Sequence, residues 1–208
     1  MQPEQDYMMS AACCKLFSTL FYKRPSQEII DILKENKFEV MWPDYSNKQK
    51  KVLNRLRDSV ENENFDSVKS DFFRLFIGSE KKLAYPWGSV YTDKDNLMFG
   101  ESSMKFKEFC RKNNVSVELE VNEPLDHIGI VFSVLSVLFE KACTDYSLDN
   151  VVELMKDHLL PWFYRFIYLM KTSAATKFYQ SISTLAEQYV NYWEEELEID
   201  VEQVRLYA

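Results

Sequence analysis

An all-α fold is predicted by three observations. Apolar residues recur at three- and four-residue steps along nearly the whole chain, the spacing of one helix face. The 208 residues include only four glycines and six prolines, too few turn-formers for a sandwich of many short strands. Apolar residues make up 46% of the chain and aromatic ones 15%, enough for a large core, since a chain of this size buries roughly 70% of its unfolded surface. The expectation is one compact helical domain, residues 1–208, built around a buried central helix and carrying one long irregular loop at about 79–101.

Met9, Cys13, Leu16 and Leu20 step by four, three and four, which predicts the first helix, with Asp6 placed to cap its first turn and Pro25 beyond its end. Ser26 precedes Ile29, Ile30 and Leu33 in a short second helix that stops before the Trp42-Pro43 turn. A third is expected over about 47–60, with Val52, Leu53 and Leu56 inward and Lys48, Lys50, Lys51, Arg55 and Arg57 on a solvated face. Asp66 is the expected cap for the run Val68, Phe72, Leu75 and Phe76, and Gly78 its expected C-cap. Helical spacing returns over 102–112 through Met104, Phe106 and Phe109.

Between those helices no helical period exists for about 20 residues, and loops of that length in compact domains are uncommon and often functional. Val90-Tyr91 and Leu97 to Phe99, flanking a Lys94-Asp95 turn, are compatible with a small hairpin. Tyr85, Pro86 and Trp87 admit two readings. They plug the core from outside, as a tryptophan usually does, or they form a rigid apolar contact platform, because Pro86 fixes its own backbone and biases Tyr85 toward extended geometry.

Pro124 suits a first helical turn, with Asn122 or Glu123 as its cap and Asp126 supplying negative charge to the helix start. On that helix His127 sits four residues after Glu123, where the carboxylate would orient the ring or raise its proton affinity. From Ile128 to Phe139 the chain is apolar nearly all round, which places this helix at the centre, and Gly129 lets a neighbour approach closely. Val151 to His158 and Leu160 to Lys171 read as helices with a break at Pro161. Phe178, Ile182, Leu185, Tyr189 and Trp193 define the last amphipathic helix, followed by the carboxylates Glu194, Glu195, Glu196, Glu198, Asp200 and Glu202.

The formal net charge of −8 argues against nucleic acid, whose binding needs a basic face. The first residues lack the basic region, apolar stretch and cleavage site of a secretory signal. The longest nearly uncharged apolar run has 12 residues (128–139), against roughly 20 needed to span a bilayer. Cys13, Cys14, Cys110 and Cys143 show no C-x-x-C spacing, so a reducing cytoplasm is the expected setting. No glycine-rich phosphate loop and no G-x-S-x-G elbow is present, and His127 and His158 lack metal-ligand spacing. No catalytic residue, metal or cofactor is expected.

Several short blocks, in order, resemble one family. They are R-L-F-x-G at Arg74 to Gly78, P-W-G-S-V at Pro86 to Val90, F-G-x-S at Phe99 to Ser102 and E-P-x-D-H at Glu123 to His127. H-L-x-P-W at His158 to Trp162 and F-Y at Phe178-Tyr179 extend the likeness over essentially the whole chain. The pattern is similar to the TorD/DmsD family of redox-enzyme maturation chaperones, nearest its DmsD branch. That resemblance implies an all-helical domain without catalytic turnover. Its expected ligand is the twin-arginine signal peptide of a molybdenum-dependent reductase, typically a dimethyl-sulfoxide reductase type catalytic subunit, held in the cytoplasm until its cofactor is loaded. The Tat translocase at the inner membrane is a further expected partner.

Family binding residues fall on Leu75, Phe76, Tyr85, Pro86, Trp87, Gly88, Ser89, Asp126 and His127. A twin-arginine signal joins two guanidinium groups to an apolar stretch, so its receptor needs desolvated apolar surface and carboxylates. Leu75, Phe76 and Trp87 are candidates for the first, and Glu123 and Asp126 for the second. Glu80, Lys81 and Lys82 make the rim more charged than a purely apolar groove. The alternative is a helical adaptor that binds a mature partner through its acidic carboxylate cluster.

Overall fold

The structure is a computed structural model and describes residues 3–35, 38–78, 82–95, 98–117, 123–202 and 204–207. Among these residues the regular elements are helical. In chain order they are α1 (Pro3–Tyr22), α2 (Gln27–Glu35), α3 (Phe38–Met41), α4 (Gln49–Asn62), α5 (Phe65–Phe72), α6 (Gly88–Thr92), α7 (Glu101–Lys112), α8 (Ile128–Asp145), α9 (Asp149–Leu154), α10 (Leu160–Ser173) and α11 (Lys177–Glu196). Two π-helical turns interrupt them, Phe73–Ile77 after α5 and Met155–Leu159 after α9. The chain groups into two compact units, one of residues 1–23, 86–163 and 197–208, the other of 24–85 and 164–196.

The first unit is organised by α1 against α8. Phe17 and Phe21 meet Phe132 at ring separations of 5.2 and 5.8 Å, and the Ser136 hydroxyl donates to the Ala11 carbonyl at 2.9 Å. Gly129 is what permits this approach. A Cβ there would lie 2.7 Å from Tyr22 Cβ and 3.0 Å from the Ser18 carbonyl oxygen. Phe132, Leu135 and Phe139 are wholly buried, as the all-round apolar pattern of 128–139 requires.

In the second unit two carboxylates cap the start of α11. Glu63 accepts from the Lys177 and Phe178 amides at 2.8 and 3.1 Å. Asp71, fully buried, accepts from the Ala175 and Thr176 amides and from the Thr176 hydroxyl. Phe72, Phe76, Phe166 and Tyr179 form the aromatic core beneath them.

Several expectations are corrected. Asn64, not Asp66, caps α5, its side chain accepting from the Asp66 and Ser67 amides. Asp6 lies inside α1, which already begins at Pro3. Val90 and Tyr91 belong to α6 rather than to a hairpin, and Leu97 lies outside the described residues. So do Glu80, Lys81 and Asn122. Met104 is exposed while Phe106 and Phe109 are buried. The central helix starts at Ile128 with His127 as its N-cap, so Pro124 precedes the helix. The break foreseen at Pro161 appears just upstream. The Leu160 amide reaches back five positions to the Met155 carbonyl, a bond that closes the π turn before proline's missing donor is needed.

Candidate ligand-binding site

The segment 86–89 and the start of α8 lie together as a short antiparallel pairing. The Ile128 amide donates to the Pro86 carbonyl at 2.7 Å and the Gly88 amide to the Asp126 carbonyl at 3.1 Å, with Trp87 and His127 facing each other across the bridge. Asp126 then caps α6, its Oδ2 accepting from the Ser89 amide at 2.5 Å. Gly88 is demanded by packing. An added Cβ would stand 2.6 Å from Trp162 Nε1, whose N–H is already committed to the His158 carbonyl at 2.8 Å. Tyr91 stacks on the Trp162 indole at 5.8 Å.

His127 is buried, and burial pushes its pKa down to about 3. Its Nδ1 accepts from the Gly129 amide at 3.0 Å, which requires a neutral ring with the proton on Nε2. The rings of Tyr22 and Trp87 meet it edge-on at 5.0 and 5.6 Å. The expected partnership with Glu123, in which the acid raises the proton affinity of His127, is therefore replaced by a desolvated capping histidine. Glu123 is half-buried; burial raises its pKa against a hydrogen bond with Tyr22, and its Oε1 has no hydrogen-bond partner.

Asp126 is only 3% exposed. Burial raises its pKa against the lowering effect of the Ser89 amide and the Ser89 and Ser103 hydroxyls; the Ser102 hydroxyl donates to Oδ2 at 3.4 Å, and Oδ1 has no hydrogen-bond partner. The residue forms part of the wall of a cavity of about 230 Å³. Asp93, Glu101 and Asp157 contribute further carboxylates to that wall, and Phe106, Pro161, Trp162 and Val204 its apolar part. Lys105, also in the lining, is paired with Glu101 at 2.8 Å. An anionic, partly apolar cavity of this size suits a guanidinium or ammonium group on an apolar stem.

Of the ten candidate residues, Pro86, Trp87, Gly88, Ser89, Glu123, Asp126 and His127 belong to the first unit. Asp126 among them lines the cavity, with the Pro86–Ser89 segment and His127 fixing its backbone and carboxylate. Leu75, Phe76 and Tyr85 belong to the second unit. Leu75 and Phe76 are buried there, and Phe76 sits in the aromatic core. Tyr85 is half-exposed with the Lys82 ammonium 5.6 Å from its ring. Trp87 is 9% exposed, which favours the core plug over the open platform. The sequence reading missed Glu101, Asp157 and Val204 as lining residues. Asp157 stands directly before the H-L-x-P-W block and was the legible signal; nothing in the sequence brings Val204 to this place.

Among the described residues no group of His, Cys, Asp and Glu could hold a metal ion, and no helix is long and apolar enough to cross a membrane. Fold and cavity together define an all-helical protein with a carboxylate-lined cavity. Residues 43–168 match the family model described as nitrate reductase delta subunit. The chain belongs to that family, which also holds the redox-enzyme maturation chaperones of the TorD/DmsD kind.

Three comparisons show the range. The chain is 27% identical over 195 residues to the Tat proofreading chaperone DmsD of Salmonella typhi, covering 92% of each chain. It is 30% identical over 125 residues to the chaperone protein TorD of Aliivibrio fischeri, covering 57% of this chain and 58% of that one. A crystal structure of an Archaeoglobus fulgidus protein, described as a candidate redox enzyme maturation protein, superposes with a TM-score of 0.54 at 16% identity, covering 93% of this chain and 94% of that one. The named relatives are chaperones rather than enzymes.

Proposed function

We propose that residues 1–208 act as one cytoplasmic chaperone domain that binds the twin-arginine signal peptide of a molybdenum-dependent reductase, of the dimethyl-sulfoxide reductase type, and delays export until folding and cofactor insertion are complete. The peptide is then released to the Tat translocase. One observation carries the reading: Asp126, buried and with Oδ1 unpartnered, stands in the wall of a cavity shared with three more carboxylates. A buried carboxylate oxygen without a donor is costly to keep, and an arginine guanidinium supplies the donor at a charge-assisted distance. Phe106, Pro161 and Trp162 offer apolar surface beside it for the stem. The Salmonella typhi relative is named for Tat proofreading, which agrees with a twin-arginine ligand. The adaptor alternative has less behind it, because Glu194 of the acidic cluster is engaged by the Tyr164 hydroxyl.

Titration calorimetry with a synthetic twin-arginine leader tests the proposal. Binding at micromolar Kd or tighter, about −8 kcal/mol, is the expected result. A folded protein giving no heat with leaders of several reductases would refute it.

A further inference from the structure

The chain that follows α11 returns to the first unit. There the Tyr207 amide donates to the Tyr91 carbonyl at 2.9 Å, and Val204 joins the cavity lining beside Asp126 and Trp162. Burial is not what holds this stretch, for Val204 is 46% and Leu206 37% exposed. Val204, Leu206 and Tyr207 flank one exposed arginine in the chain, Arg205, whose guanidinium lies 5.2 Å from the Tyr207 ring. An arginine next to apolar residues in one stretch of chain is the chemistry expected of the leader.

We propose that Val204–Tyr207 is an internal strap that occupies part of the ligand cavity and must be displaced when a leader binds. The inference rests on the leader reading and adds to it a built-in competitor. Being tethered, the strap competes at an effective concentration near the millimolar range of short linkers. It therefore sets a threshold: a weak or incomplete leader leaves it in place, and a full twin-arginine leader removes it.

Two variants of the full chain open the strap without touching the cavity carboxylates. Tyr207→Pro deletes the amide donor, and Val204→Ser removes the apolar contact. With helical circular dichroism unchanged, both are expected to bind a synthetic twin-arginine leader about three- to tenfold more tightly than wild type, the reciprocal of the open fraction. In the wild-type complex the Tyr207 amide is expected to lose its hydrogen-exchange protection as leader saturates. Unchanged or weaker affinity in both variants overturns the strap, while wild-type binding in the same titration keeps the leader reading. Binding by the variants alone supports both ideas, and binding by none of the three proteins overturns both.

Discussion

A carboxyl group removed from water resists ionisation, and Asp126 carries that penalty in the wall of the cavity. Asp126→Asn keeps an acceptor for the Ser89 amide while deleting the charge. Thermal unfolding at pH 7 is expected to show a midpoint equal to or above that of wild type. The same change should weaken leader binding by about 1.5–3 kcal/mol, the loss of one charge-assisted hydrogen bond. His127 gives the opposite pH signature. Its native pKa of about 3 lies below the ordinary value of 6.5, so the unfolded chain takes up a proton between those values and the folded one does not. Stability contributed by the neutral ring is therefore complete above pH 6.5 and is lost on acidification at about 1.4 kcal/mol per pH unit. Asp126, raised by burial, pulls the other way, because its native form binds the proton more readily. His127→Asn retains a side chain that can cap Gly129 and removes the acid-sensitive group. Urea unfolding from pH 7 to pH 4 should show a clearly shallower decline for this variant than for wild type. An identical decline would mean that the ring titrates in the folded state.

At the scale of elements, the close approach of α1 to α8 depends on a missing Cβ. Gly129→Ala would push against the α1 backbone at Ser18. The backbone cannot rotate away as a side chain can, so a destabilisation of about 1–3 kcal/mol in urea unfolding is expected, despite alanine's better helix propensity. Trp87 fills the space beside His127 and is nearly buried. Trp87→Ala is accordingly expected to cost about 3–5 kcal/mol of stability. A variant with unchanged unfolding midpoint and lost leader binding would restore the platform reading. The helices themselves were legible because a 3.6-residue period survives wherever one face is buried: the central helix, the last amphipathic helix and the helix over 102–112 all sit where the spacing put them. Their starts were less legible. Asn64 and His127 took over capping roles assigned to Asp66 and to Asn122 or Glu123, since several neighbouring side chains can each reach an orphan amide and packing selects among them. The turn of helix at Gly88–Thr92 was invisible because five residues carry too little period, and its cap, Asp126, comes from 37 residues away.

For the whole molecule, the −8 charge and the carboxylate-lined cavity act in one direction: both favour the cationic peptide proposed as ligand over nucleic acid. Leader association is expected to slow as ionic strength rises, as electrostatic steering requires. The blocks quoted from the sequence led to the correct family and to six residues that the fold gathers around one pairing, Pro86 to Ser89 with Asp126 and His127, while Glu123 is held by Tyr22 instead. They did not disclose that Leu75, Phe76 and Trp87 are packed inside, because a sequence block marks a position without saying which way its side chain faces. Nor did they reveal the cavity, whose wall draws on residues from Thr92 to Val204. Such a wall is a product of tertiary closure, and no local pattern encodes it.

A double-mutant cycle between Asp126→Asn and a leader with its arginines replaced by glutamine addresses the pairing itself, with calorimetric affinities at its four corners. If Asp126 receives a leader guanidinium, the two changes are non-additive by about 1 kcal/mol or more, because the second removes little once the first has been made. Strictly additive losses, with all four combinations still folded, would place the arginines elsewhere on the protein.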